Sequence, residues 1–162
     1  MRAEQFERLY EEHAQSLFGF LVYRTGDRTL AEDLLADAFE KVLRARRPFD
    51  PRKATEKTWL YAIALNCLRD HGRRSAARER AMERTLVPVG DDSRLLERVE
   101  HRDDLGRALE TLSEEEREAI ALRYGADLTV PEIAKLTKEK LTTVEGRVYR
   151  ALRKLRDELD AP

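Results

Sequence analysis

Apolar residues recur at three- and four-residue intervals through most of the chain, and no sustained polar–apolar alternation marks a strand. The pattern predicts an all-α protein. Phe6, Leu9, Tyr10, His13, Leu17, Phe18 and Leu21 form the stripe of a first helix beginning near Glu4, and Thr25-Gly26-Asp27 reads as its stop. Asp27 or Thr29 is placed to cap a second helix with the stripe Ala31, Leu34, Leu35, Ala38, Phe39, Val42 and Leu43. Pro48-Phe49-Asp50-Pro51 ends it. A third helix is expected from about Glu56 to Arg73, burying Leu60, Ile63, Ala64, Cys67 and Leu68.

The periodicity then weakens. Ser75–Arg84 reads as a basic extension, and Leu86–Ser93 carries the Pro, Gly and Asp of a loop. A flexible linker centred on 79–96 and reaching 103 separates two small helical domains, 1–78 and 104–162; Leu95, Leu96 and Val99 are placed to begin a helix leading into the second. There, Ser113-Glu114-Glu115-Glu116 is a capping box opening a helix that runs to Tyr124 before Gly125. Thr129-x-x-Glu132 repeats the signature for a short helix to about Leu136, and Thr142-x-x-Glu145 does so near the start of the last helix. The stripe of that helix is Leu141, Val144, Val148, Leu152, Leu155 and Leu159. A short helix, a tight turn and a longer helix make a helix-turn-helix, whose second helix enters the DNA major groove. An ordinary helical hairpin is the plain alternative.

Charge changes the picture more than composition does. The net charge is −1, yet residues 1–40 carry −5, 41–84 carry +8, 85–118 carry −6 and 119–162 carry +2. Such banding suits a phosphate backbone on one surface and a basic protein on another, with solvated helix faces as the bland reading. The single cysteine, Cys67, excludes an internal disulfide and reads as a packed thiol. A charged N-terminus and the lack of a long apolar run point to a cytoplasmic chain.

Three constellations carry candidate chemistry. On the last helix, Lys140, Thr142, Thr143, Arg147 and Arg150 are free for DNA: Arg pairs with guanine edges, Thr with thymine methyls or phosphates. On the third, Trp59 and Tyr61 stand beside Lys53 and Lys57, with Asn66, Arg69, Arg73 and Arg74 following. Aromatic faces on a basic track suit single-stranded DNA, although both rings could equally be core. The run Arg44-Ala45-Arg46-Arg47 extends this band. On the second, Glu32, Asp33, Asp37 and Glu40 cluster carboxylates beside the apolar stripe, where docking on a basic helix is the better reading than acid–base chemistry. Asp70-His71 has the look of a metal dyad, but His13 and His101 lack ligand spacing, so neither metal nor cofactor is expected.

AEDLLADAFEKVLRA followed by FDP, TWLYAIALNCLRDHGRR, LSEEEREAIALRY and LTVPEIAKL, in that order, resemble the extracytoplasmic-function (group IV) sigma-70 factors over about residues 6–74 and 105–158. The resemblance implies a non-enzymatic specificity subunit with two domains, region 2 and region 4. It would bind core RNA polymerase and promoter DNA, take no small-molecule substrate, and in many relatives answer to an anti-sigma factor, often at the membrane. It places Glu32, Asp33, Leu34, Asp37 and Phe39 on the polymerase-docking helix. Lys53, Lys57, Trp59, Asn66, Asp70, Arg73 and Arg74 fall at the −10 element and its melting, with loop 50–58 holding a flipped base. Lys140, Thr142, Thr143, Arg147 and Arg150 face the −35 element. The chain departs from the family pattern at Thr137-Lys138, where Leu-Gly is usual, so a reshaped turn is expected. Glu145 replaces a common Lys, and Ala62 and Leu65 stand where Arg is frequent. A stand-alone helix-turn-helix repressor and a sigma-like interaction module with weakened DNA binding are the competing readings.

Overall fold

The computed structural model describes residues 1–45, 48–83 and 104–161. Seven α-helices account for nearly all of them: α1 (Ala3–Thr25), α2 (Arg28–Arg44), α3 (Glu56–Glu83), α4 (Asp104–Glu110), α5 (Glu114–Ile120), α6 (Val130–Thr137) and α7 (Leu141–Leu159). A π-helical stretch, Ala121–Gly125, continues α5.

Local chemistry explains most boundaries. Gly26 takes the left-handed conformation (φ 67°) that ends α1, and its N–H donates to the Val22 carbonyl at 2.8 Å. Asp27, rather than Thr29, caps α2: its Oδ1 accepts from the N–H groups of Thr29 (2.9 Å) and Leu30 (3.2 Å). Thr55 opens α3, its hydroxyl accepting from the Thr58 N–H at 3.1 Å. The boxes at Ser113/Glu116 and Thr129/Glu132 both form, each hydroxyl and carboxylate accepting from the other residue's N–H. The third expected box does not. The N-cap of α7 is Lys140, with no side-chain cap, and Thr142 lies inside the helix.

Two further expectations change. The third helix does not stop near Arg73 but runs to Glu83, absorbing the segment read as basic extension and the start of the linker, since Ala76, Ala77, Ala81 and the charged residues among them are good helix formers. The residues Leu95, Leu96 and Val99, read as a helix start, lie outside the described residues, as do Arg46 and Arg47. The helix-turn-helix turn is also not reshaped: Lys138 itself adopts the left-handed conformation (φ 58°, ψ 37°) usually left to glycine, and its N–H donates to the Ala134 carbonyl.

The first domain packs α1, α2 and α3 around Leu9, Leu17, Leu21, Leu34, Phe39, Leu60, Tyr61 and Leu65, all nearly inaccessible. Phe39 also meets Tyr10 (4.8 Å between ring centres) and Phe6 (5.8 Å). The second gathers Ala108, Leu112, Leu122, Leu128, Ile133, Val144, Val148 and Ala151 beneath α7. Its one buried carboxylate, Glu116, accepts from Lys154 Nζ at 2.9 Å. Burial opposes ionisation of Glu116, but Lys154 and the Ser113 N–H outweigh it and hold its pKa below the usual carboxylate range.

Candidate nucleic-acid interface

α3 presents one face built at helical spacing. Trp59, Ile63, Asn66, Asp70 and Arg73 line a groove of about 530 Å³, closed on its far side by Lys41 and Ala45 at the end of α2. Trp59 is half-buried and leans on Phe49 of the preceding loop at 5.7 Å between ring centres. Beside it Asn66 and Arg73 are exposed, one offering amide edges and the other a guanidinium. Asp70 organises the basic end: it pairs with Arg73 and with Lys41 (3.7 Å), and its carbonyl accepts from Arg74 Nε at 3.4 Å. The Arg73 hydrogen bond, with the charges of Lys41 and Arg74, holds the Asp70 carboxyl below its ordinary pKa. An aromatic ring, an amide and cations along one groove are what an unstacked base and its phosphates require.

The structure therefore brings together Trp59, Asn66, Asp70 and Arg73, with Arg74 in the neighbouring α2–α3 cleft. Two expected members stand apart. Lys57 projects beside His13, where its charge adds to the lowering of the His13 pKa by burial. Lys53 lies in the loop before α3, in a turn where its N–H donates to the Asp50 carbonyl at 3.0 Å. Tyr61 is a core ring, edge-on to Phe20 at 5.5 Å, and so offers no stacking surface. Leu65 is likewise core and Ala62 half-buried, which explains why this chain carries no Arg at either position.

On α2, Glu32, Asp33 and Asp37 are exposed and form no salt bridge among the described residues, whereas Glu40 pairs with Arg44 at 2.8 Å. Leu34 and Phe39, expected on the same docking surface, face inward at 2% and 4% exposure. They hold the acidic face in place from beneath; they are not part of it.

On α7, Lys140, Thr142, Thr143 and Arg150 are exposed as expected. Arg147 is not free: it forms a two-pronged ion pair with Glu139 of the turn, Nη1 to Oε2 at 2.8 Å and Nη2 to Oε1 at 2.9 Å. The pairing lowers the Glu139 pKa and raises that of Arg147. Only 17% of the Arg147 side chain remains exposed. Sequence reasoning missed Tyr149, which is 67% exposed among the outward residues of this helix. The signal was present: an aromatic one residue past Val148 falls off the apolar stripe and has no core to enter.

Comparison with known proteins matches this geometry to a family. Residues 9–78 match the family model Sigma-70 region 2, and residues 102–155 match Sigma-70, region 4. The chain is 32% identical to the ECF RNA polymerase sigma factor SigX of Bacillus subtilis, the alignment covering 96% of this chain and 88% of SigX. Its identity to RpoE of Cereibacter sphaeroides is 30%, over 95% and 86% of the two chains. BldN of Streptomyces coelicolor is 27% identical across 94% of this chain, which spans 60% of BldN's length. Among solved structures, RpoE of Bartonella quintana in complex with the anti-sigma factor NepR superposes with a TM-score of 0.77 at 21% identity, covering 98% of this chain and 99% of that one. CnrH in complex with the cytosolic domain of CnrY gives 0.69 at 27%, over 98% and 90%. The first domain, which a stand-alone repressor would leave without purpose, thus has its own match, and the chain belongs to the extracytoplasmic-function sigma-70 family: a non-enzymatic RNA polymerase sigma factor of regions 2 and 4 that directs transcription initiation.

Proposed function

We propose the following division of labour. The exposed carboxylates Glu32, Asp33 and Asp37 on α2 dock on a basic surface of core RNA polymerase, with complementary charge supplying orientation and association rate. The α3 groove takes the single-stranded −10 element, Trp59 supplying a stacking face, Asn66 a base-edge contact, and Arg73 and Arg74 phosphate contacts. Asp70 keeps that arginine pair aimed. Lys140, Thr142, Thr143 and Arg150 read the −35 duplex, and Arg147 joins them when released from Glu139. The observation that carries the reading is the single groove shared by Trp59, Asn66, Asp70 and Arg73.

No described helix is long and apolar enough to cross a membrane. We place the chain in the cytoplasm, with the polymerase it serves. CnrH is complexed with a cytosolic domain, and a regulator of that kind, an anti-sigma factor at the membrane, is our proposal for this chain too.

Co-elution of the purified protein with core RNA polymerase tests the reading. Wild type is expected to co-elute, and Asp33→Arg combined with Asp37→Arg to abolish co-elution while helical content is unchanged. Equal retention of the double variant would remove the acidic docking surface from the proposal; no retention of wild type would remove the polymerase from it.

A further inference from the structure

The two DNA-reading domains touch through their reading surfaces. Lys135 of α6 donates from Nζ to the Lys53 carbonyl at 2.9 Å, tying the helix-turn-helix to the loop that precedes the α3 groove. Glu118 of α5 reaches between the domains and accepts from Arg24 of α1 (3.4 Å) and Arg69 of α3 (3.2 Å). The Glu118 and Arg24 side chains are 17% and 11% exposed, so this bridge is largely withdrawn from water, and Arg24 Nε has no partner at all. Leu68, Arg69 and Gly72 of the −10 helix and Thr137, Glu139 and Arg147 of the helix-turn-helix line one cleft of about 380 Å³.

That cleft cannot admit a duplex whose major groove alone is about 12 Å wide. Nor can the two surfaces serve one promoter from here. By their names the −10 and −35 elements lie about 25 base pairs apart, roughly 85 Å of B-form DNA at 3.4 Å per pair. Lys53 and Lys135, one from each surface, are in contact.

The seam is also built to separate. Its ties are ion pairs and one backbone contact, and a mostly apolar groove of about 620 Å³ remains unfilled between Phe20 and Tyr23 of α1 and Leu109 and Leu152 of the second domain. A permanent interface would pack such a groove shut.

We propose that this packing is a closed, promoter-incompetent state, latched by Glu118 between Arg24 and Arg69 and by Lys135 on the Lys53 carbonyl, and that the domains must part before both promoter elements are read. The proposal rests on the assignment of the two reading surfaces made above.

Solution scattering on the full chain, together with binding to a short mixed-sequence DNA duplex, tests it. Wild type is expected near the radius of gyration of a single compact body of its length, about 15 Å. Glu118→Arg, and more mildly Glu118→Gln, expand the chain with its helical content retained. Glu118→Arg then binds duplex about fivefold tighter or more than Glu158→Arg, an exposed change that adds the same charge elsewhere. Combining Glu118→Arg with Arg69→Glu restores the compact radius by reversing the pair. An unchanged radius in both Glu118 variants overturns the latch, and expansion without tighter binding overturns the masking. Failure of the sigma-factor reading shows separately, as a wild-type chain that does not bind core polymerase whatever its radius.

Discussion

At the scale of single residues, the chemistry of this chain is set by how each charge is partnered. Asp70 and Glu139 look alike in sequence as carboxylates among basic residues, yet they act oppositely. Asp70 pairs with arginine at the edge of an open groove and leaves Asn66 and Trp59 available, whereas Glu139 withdraws Arg147 from the surface. No residue spacing announces that difference, because the partners are eight positions apart across a turn and meet only once it folds. Glu116 was legible only as the last residue of a capping box, and the structure adds its second role as the buried partner of Lys154. Because its pKa is lowered on folding, its contribution is fully present above the ordinary carboxylate range and lost as pH falls through the lowered value. Glu116→Gln should therefore cost about 1–3 kcal/mol at neutral pH. The gap to wild type should close below about pH 4, as read by thermal unfolding across a pH series.

At the scale of elements, helix identity and most boundaries could be read directly. Asp27, Ser113 and Thr129 each supply a hydroxyl or carboxylate at the point where the backbone has unpaired donors, and these signals are local. Boundaries that depend on the absence of a signal were harder. Nothing between Arg73 and Glu83 favours a stop, so α3 continues through a stretch whose charge alone suggested a linker. The start of α7 was misplaced for the reverse reason: Thr142-x-x-Glu145 has the form of a cap, but Val144 must point inward, and that fixes the helix start at Leu141. The turn between α6 and α7 keeps its left-handed geometry with lysine in place of glycine, and the strain of a Cβ there is the cost. Lys138→Gly should raise stability by about 1 kcal/mol without changing the fold, measured as the shift in denaturant midpoint at constant slope.

At the scale of the whole molecule, the candidate surfaces were legible but their relation was not. Helical period places Trp59, Asn66, Asp70 and Arg73 on one face, and off-stripe polar residues mark the outer side of α7. Leu34 and Phe39 were drawn to the acidic surface by sequence proximity alone; the same period that exposes Asp33 and Asp37 turns them inward. No pattern within either domain shows that Glu118 finds Arg24 and Arg69, since a contact between residues 94 positions apart depends on how two finished domains meet. That bridge has a consequence for how the protein should respond to its ionic surroundings. Added salt screens charges beyond a Debye length of about 10 Å at 0.1 M, which weakens the bridge and frees the DNA-reading surfaces. The same salt lowers every phosphate contact, with affinity falling linearly on a logarithmic scale. The two effects oppose each other, so wild-type affinity for duplex DNA should rise and then fall as potassium chloride is increased, with an optimum at intermediate concentration. Glu118→Gln, having no bridge to screen, should show only the fall; a fluorescence-anisotropy titration over a salt series would reveal whether this sigma factor is tuned to a particular ionic strength.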